Sequence, residues 1–178
     1  YGFIDDYEAM KGSTKESGDT SSMIVARFKA FKDTMKLFFI STPELKESSN
    51  IEKEYDKGNQ CKWHVPCPCC DEKIIFEWEI DSEKTPGEKC GIVWQFDENN
   101  KLIPESIGYK CYKCDGFFTD ANKNELILKG EFIATAEPIT SGHYSFHLSA
   151  LYAPSYMFGW REYVEMFLEA NPPGGQRD

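Results

Sequence analysis

Two short cysteine motifs constrain this chain more than any other feature. Cys67-Pro68-Cys69-Cys70-Asp71 and Cys111-Tyr112-Lys113-Cys114-Asp115 share the form Cys-x-x-Cys-Asp. A Cys-x-x-Cys turn lets two thiolates converge on one tetrahedral ion, and Asp after the second cysteine tolerates the left-handed backbone that a tight turn often needs. Two such knuckles supply four ligands and close the shell, as structural zinc requires. Matching the motifs selects Cys67, Cys70, Cys111 and Cys114 and leaves Cys69 out, with His64 as the alternative donor. Cys61 and Cys90 have no partner at useful spacing and read as small buried or surface thiols. A thioredoxin-type redox pair gives the second motif no reason to exist.

Seven cysteines, with no signal-peptide pattern at the start, favour a reducing compartment and metal binding over disulfides. The 178 residues allow one domain, or one with a small module. A hydrophobic share of 40% with 15% aromatics rules out disorder as the default. The apolar runs fall well short of the roughly 18 residues that a membrane span needs. With 20 Lys and Arg against 30 Asp and Glu, the net charge of -10 repels phosphate on average. Between the knuckles there is no basic helix and no interleaving of Arg with aromatics of the kind that grips nucleic acid. The zinc is therefore expected to hold a small β module together.

The rest of the chain reads in two parts. Residues 1–43 predict strand, helix, strand. Tyr1 to Ile4 form an apolar approach to Asp5 and Asp6, like a strand whose beginning has been cut off. A helix capped by Asp19 or Thr20 runs to about Thr34, with Met23, Ile24, Ala26, Phe28 and Phe31 as its apolar stripe. Met35 to Ile40 reads as a strand buried on both faces, ended by Ser41-Thr42-Pro43. Ser49 caps a short helix bearing Ile51 and Tyr55. Beyond it, Ile74, Phe76, Trp78 and Ile80 alternate at period two as a half-buried strand. The polar segment 81–105 is expected to loop out, around a possible strand from Ile92 to Phe96. Ser106 to Tyr112, Leu126 to Thr135 and His143 to Leu148 are further strand candidates. Trp160 to Ala170 predicts a helix with Trp160, Tyr163, Val164, Phe167 and Leu168 on one face. The residues after it have linker composition.

Phe3-Ile4-Asp5-Asp6 has the form of a Walker B element. Such a strand delivers one carboxylate to the Mg²⁺ on nucleotide phosphates, and the next acid polarises the attacking water. A neighbouring strand ending in Ser41-Thr42 completes what a P-loop ATPase core presents at its nucleotide edge. No Gly-Lys-Ser/Thr occurs in the chain, so the phosphate-binding loop of such an ATPase is expected before Tyr1. His143, Ser145 and His147 alternate along a strand and read as packing or solvent-facing residues.

The order of these features resembles one family, the large subunit of lambda-type phage terminases. The resemblance runs through Phe3 to Asp6, Gly18-Asp19 with Arg27 and Phe31, Phe39 to Pro43, Ser49 to Glu52 with Tyr55, both cysteine knuckles, Gly130-Glu131-Phe132, and Ser145 to Pro154 with Trp160 beyond. It implies an ATP-driven motor that packages double-stranded DNA in the host bacterial cytoplasm. Such a motor works with a small terminase subunit and the portal, and carries a separate nuclease domain that would follow residue 178. Asp5 is then the Mg²⁺ carboxylate and Asp6 the catalytic acid. Ser41 and Thr42 form the motif that couples nucleotide state to movement. Cys67, Cys70, Cys111 and Cys114 hold zinc. The family usually has Glu where Asp6 stands, one methylene longer, and Glu8 is the alternative acid. Arg27 and the Leu151-Tyr152-x-Pro154 stretch default to core or structural roles.

The expected fold is thus α/β: a partial P-loop core of parallel strands with helices, plus a zinc-ribbon-like antiparallel β module. Residues 1–58 are expected as the ATPase half and 59–140 as the β module with its loop 81–105. Residues 141–170 would return to the core, and 171–178 would be a linker. Without Walker A the isolated chain is expected to hydrolyse nothing. The rival expectation is a non-enzymatic zinc-ribbon module for protein or nucleic-acid interaction.

Overall fold

The computed structural model describes residues 1–10, 20–31, 33–43 and 49–172. The Gly12 to Gly18 stretch, the Asp19 cap and most of the 171–178 linker lie outside the described residues. The chain divides into two units, residues 1–61 with 134–146, and residues 62–133 with 147–178.

In the first unit, β1 (Gly2–Ile4) and β2 (Leu37–Phe39) pair in parallel, with Gly2 opposite Leu37 and Ile4 opposite Phe39. Helix α1 (Thr20–Arg27) connects them, giving the strand, helix, strand order expected. The sheet has two strands among the described residues, and β2 is not buried on both faces: Leu37 and Phe39 are half-buried and Phe38 is exposed. Phe3 and Phe38 stack on each other at 4.8 Å on the open side, where Phe3 is 69% exposed. The stripe on α1 is likewise only partly covered: Ile24 and Phe28 are half-buried, whereas Met23 and Phe31 are exposed. Arg27 is also exposed, in the last turn of α1. Helix α2 (Asn50–Lys57) follows, capped by Ser49, whose hydroxyl accepts the Glu52 amide at 3.2 Å. That bond satisfies one of the amides a helix start leaves unpaired.

The second unit is antiparallel. Strand β3 (Cys61–Pro66) pairs with β4 (Lys73–Ile74) on one side, through Val65 and Ile74. It also pairs with β9 (Glu131–Ile133), through Trp63 and Phe132. Strands β5 (Glu79–Asp81), β6 (Lys89–Phe96), β7 (Leu102–Lys110) and β8 (Phe117–Phe118) form a four-stranded meander. The expected loop 81–105 is therefore mostly sheet. Val93 to Phe96 supply β-forming side chains, and a tight turn at Asp97 to Lys101 closes the hairpin, with Asn100 at φ 62° and the Asp97 amide on the Lys101 carbonyl at 2.8 Å. Gly91, at φ 105°, lets the Trp78 carbonyl approach: a Cβ there would sit 2.6 Å from that oxygen. The expected strand from Leu126 to Thr135 is instead α3 (Lys123–Leu128) followed by β9. Leu126 alone of its apolar trio is buried there, and Leu128 is 86% exposed.

The continuous strand expected from Ile74 to Ile80 is broken at residues 75–78 because tyrosine hydroxyls take its peptide groups. Tyr152 Oη accepts the Phe76 amide at 2.7 Å and donates to the Trp63 carbonyl at 2.5 Å. Tyr109 Oη donates to the Ile75 carbonyl at 2.7 Å, and Tyr112 Oη accepts the Ile75 amide at 3.3 Å. These bonds satisfy buried peptide groups that would otherwise destabilise the fold. They turn Phe76 into the core, where it meets Tyr152 at 4.8 Å and Trp160 edge-on at 5.2 Å. Helix α4 (Trp160–Ala170) has the expected bounds, but Trp160 and Val164 pack into this core. Residues 141–146 lie in the first unit, and α4 lies in the second with the four knuckle cysteines.

Candidate functional site

The two cysteine knuckles are built to the same plan. In each, the amide of the first cysteine donates to the carbonyl five residues on, Cys67 to Glu72 and Cys111 to Gly116, both at 2.9 Å. Asp71 and Asp115 return their amides to the carbonyls of Cys67 and Cys111, both at 2.8 Å. These aspartates have φ 63° and 59°, the left-handed backbone expected after the second cysteine. The plan brings the Sγ atoms of Cys67, Cys70, Cys111 and Cys114 within 4.8 Å of one another. Zn–S bonds of about 2.3 Å imply a tetrahedral sulfur–sulfur edge of about 3.8 Å, so these four donors fit one ion with small adjustment. Cys67 and Cys111 are buried, and Cys70 and Cys114 are half-buried.

The electrostatics suit a cation. Burial pushes the Cys70 thiol up to about 11, and burial likewise pushes Cys111 up. At Cys114 burial is outweighed by the Gly116 amide and by bonds from neighbouring thiols, so its thiol lies below the ordinary range. Amides already point at sulfur: Cys69 N–H to Cys67 Sγ and Gly116 N–H to Cys114 Sγ, both 3.4 Å. A divalent ion would supply the charge that burial withholds.

The other candidate donors stand elsewhere. Cys69 is exposed, with Sγ 3.8 Å from the Phe117 carbonyl. His64 Nδ1 lies 2.9 Å from the Lys62 carbonyl. Buried Cys90 donates to Asp115 Oδ1 at 3.6 Å, and burial raises its pKa. Asp115 also accepts from Ser82 Oγ and Thr85 Oγ1, both at 2.7 Å. The second knuckle thereby fastens the turn between β5 and β6, an anchorage the sequence motif did not suggest.

In the first unit, Asp5 and Asp6 follow the carboxyl end of β1 and are exposed. Asp6 has φ 49°, and its amide donates to Asp5 Oδ1 at 3.0 Å. Ser41 and Thr42 follow β2 at the same end, and Ser41 Oγ accepts the Glu8 amide at 2.9 Å. Glu8, the alternative to Asp6 in the sequence, has both carboxylate oxygens engaged by α2. Oε2 accepts Ser49 Oγ at 2.7 Å and the Ile51 amide at 3.0 Å, and Oε1 accepts the Asn50 amide at 3.1 Å. The Ile51 amide is the main reason its pKa lies below the ordinary value, burial opposing and Ser49 and Asn50 adding. Nothing local in the sequence linked Glu8 to a helix more than forty residues on.

Residues 1–132 match the family model described as phage terminase large subunit gpA, ATPase domain. The chain belongs to this family. No curated protein and no solved structure matches it. The match takes in the end of β1, the end of β2 and all four clustered cysteines of this terminase chain. Among its described residues no helix is long and apolar enough to cross a membrane. Leu151 and Tyr152 are buried in the core of the second unit, in the structural role that was their default.

Proposed function

We propose that this chain is the Walker B half of a P-loop packaging ATPase with a zinc-held β module, part of the motor that drives viral double-stranded DNA into the capsid. The observation that carries the reading is the family match over residues 1–132, on a chain whose acids and Ser41-Thr42 end neighbouring parallel strands. Mg²⁺-bound ATP would supply the phosphoryl group. Asp5 is the carboxylate that would hold the metal, and Asp6 the acid that orients water at its edge. Ser41 and Thr42 sense that edge from β2. Cys67, Cys70, Cys111 and Cys114 hold zinc as a structural ion, since four thiolates leave no open position for chemistry. The partners are DNA, the small terminase subunit and the portal, in the cytoplasm of the bacterial host.

With no Gly-Lys-Ser/Thr among its residues, the chain alone lacks a phosphate-binding loop. Purified 1–178 is expected to show no ATP hydrolysis, whereas the terminase protein that also carries a Walker A loop hydrolyses ATP. Turnover by 1–178 alone would overturn the division of labour proposed here.

A further inference from the structure

Helix α2 is fastened at both ends, and the two anchorages lie at different landmarks of the chain. At its start, Glu8 holds Ser49, Asn50 and Ile51, and the Glu8 amide rests on Ser41 Oγ at 2.9 Å. A single residue thus joins the segment after β1, the segment after β2 and the first turn of α2. Carboxylate bonds to helix-start amides are charge-assisted and aligned with the helix dipole.

At the other end, Ser145 Oγ donates to the Tyr55 carbonyl at 2.8 Å and accepts the Gln60 amide at 2.8 Å. Gly58 makes room for this: a Cβ there would lie 2.3 Å from Ser145 Oγ. The Ser145 amide donates to Asn59 Oδ1 at 3.0 Å, and the Cys61 amide to the Ser145 carbonyl at 2.8 Å. Thr135 and Ala136 donate their amides to the Asn59 carbonyl, both at 3.2 Å, and Thr135 Oγ1 donates to the Gln60 carbonyl at 2.7 Å. Gln60 is held at φ 51°, a conformation that costs a non-glycine residue about 1 kcal/mol and persists only where its surroundings impose it. The chain leaves this unit after Cys61, re-enters it at Ala134 and leaves again after Phe146. All three crossings are therefore tied to the residues that end α2.

We propose that α2 is a lever joining the carboxyl ends of β1 and β2 to the three chain crossings, with Glu8 and Ser145 as its positioning residues. A shift of Ser41 or of the segment after Asp6 moves Glu8, and the helix carries that displacement to the Asn59–Cys61 knot. The lever stands on hydrogen bonds alone. That its input is nucleotide state rests on the reading of Asp5, Asp6, Ser41 and Thr42 given above.

Amide hydrogen exchange on the full terminase chain tests the lever without reference to activity. Glu8→Gln is expected to speed exchange at Asn50 and Ile51, which it touches, and also at Gln60 and Cys61, by threefold or more. Ser145→Ala is expected to do the reverse, speeding Asn50 and Ile51 from the far end. Changes confined to the mutated end in both variants would overturn the lever. In the assembled packaging motor, Ser145→Ala is expected to retain ATP hydrolysis while packaging several-fold less DNA per ATP. A proportional fall in both, or no fall in either, would overturn coupling through α2. Loss of the nucleotide reading would instead show as packaging that survives Asp5→Asn, with the exchange result unaffected.

Discussion

Asp71 and Asp115 hold the same place in the two knuckles, each donating its amide at 2.8 Å to the carbonyl of the cysteine four residues earlier. Their side chains differ in duty, because the Asp115 carboxylate accepts hydrogen bonds from Ser82, Thr85 and Cys90. Glycine relieves left-handed strain of about 1 kcal/mol, so Asp71→Gly should leave the denaturation midpoint unchanged or slightly raised. Asp115→Gly should lower it and expose the β5–β6 turn to proteolysis near Thr85. Equal effects of the two substitutions in urea unfolding would contradict the assigned difference.

The four-cysteine site predicts about one zinc per chain, as four thiolates around one tetrahedral ion require. Cys70→Ser or Cys111→Ser should abolish stoichiometric metal, while Cys69→Ser and Cys61→Ser should keep it. Cobalt substitution followed by visible spectroscopy reads the tetrahedral thiolate shell directly. Because burial holds Cys70 and Cys111 in their thiol forms, binding must release protons, and affinity should fall as pH falls. A metal-free protein with the four thiols freely titratable by a disulfide reagent would remove the site.

Sequence pattern carried the knuckles and the parallel strand, helix, strand because both are local. A Cys-x-x-Cys-Asp turn and an apolar run ending in acids are set within a few residues. What the sequence hid was long-range. Residues 75–78 alternate like a strand, yet the hydroxyls of Tyr109, Tyr112 and Tyr152 take their peptide groups from over thirty residues away. Segment 81–105 reads as a loop because its polar residues cluster in two turns, one held by Asp115 through Ser82 and Thr85 and the other, at Asp97 to Lys101, by its own backbone, rather than by hydrophobic burial. Lys123 is fully buried, donating to the Phe158 carbonyl at 3.1 Å with its ammonium 5.4 Å from the Trp160 ring. No periodicity marks such a lysine as interior, and burial lowers its pKa.

Trp160 is the centre of that aromatic core, edge-on to Phe76 at 5.2 Å and 5.8 Å from Tyr109, with Nε1 donating to the Leu151 carbonyl at 3.1 Å. Trp160→Ala should cost about 3–5 kcal/mol, the usual range for deleting a large buried aromatic. Chemical denaturation of the purified protein measures it. A loss within about 0.5 kcal/mol, the scale of a surface substitution, would show that α4 is not part of this core.

Glu8 gives the first unit a pH signature. Its carboxyl titrates below its ordinary value when folded, chiefly through the Ile51 amide. The stability it contributes is therefore complete above the ordinary carboxylate range and is lost as pH falls through the depressed value. Wild type should exceed Glu8→Gln in urea midpoint at neutral pH, and the gap should close in acid. A gap that stays constant with pH would show that the ionised carboxylate does not hold α2.

The most direct test of the proposed function is DNA packaging by the complete motor carrying Asp5→Asn. The substitution keeps shape and removes the charge proposed to hold Mg²⁺ at the end of β1. ATP-driven packaging should be abolished while zinc content and folding stay at wild-type levels. Packaging at the wild-type rate would contradict the assignment of Asp5 and, with it, the reading of residues 1–43 as the Walker B half of an ATPase.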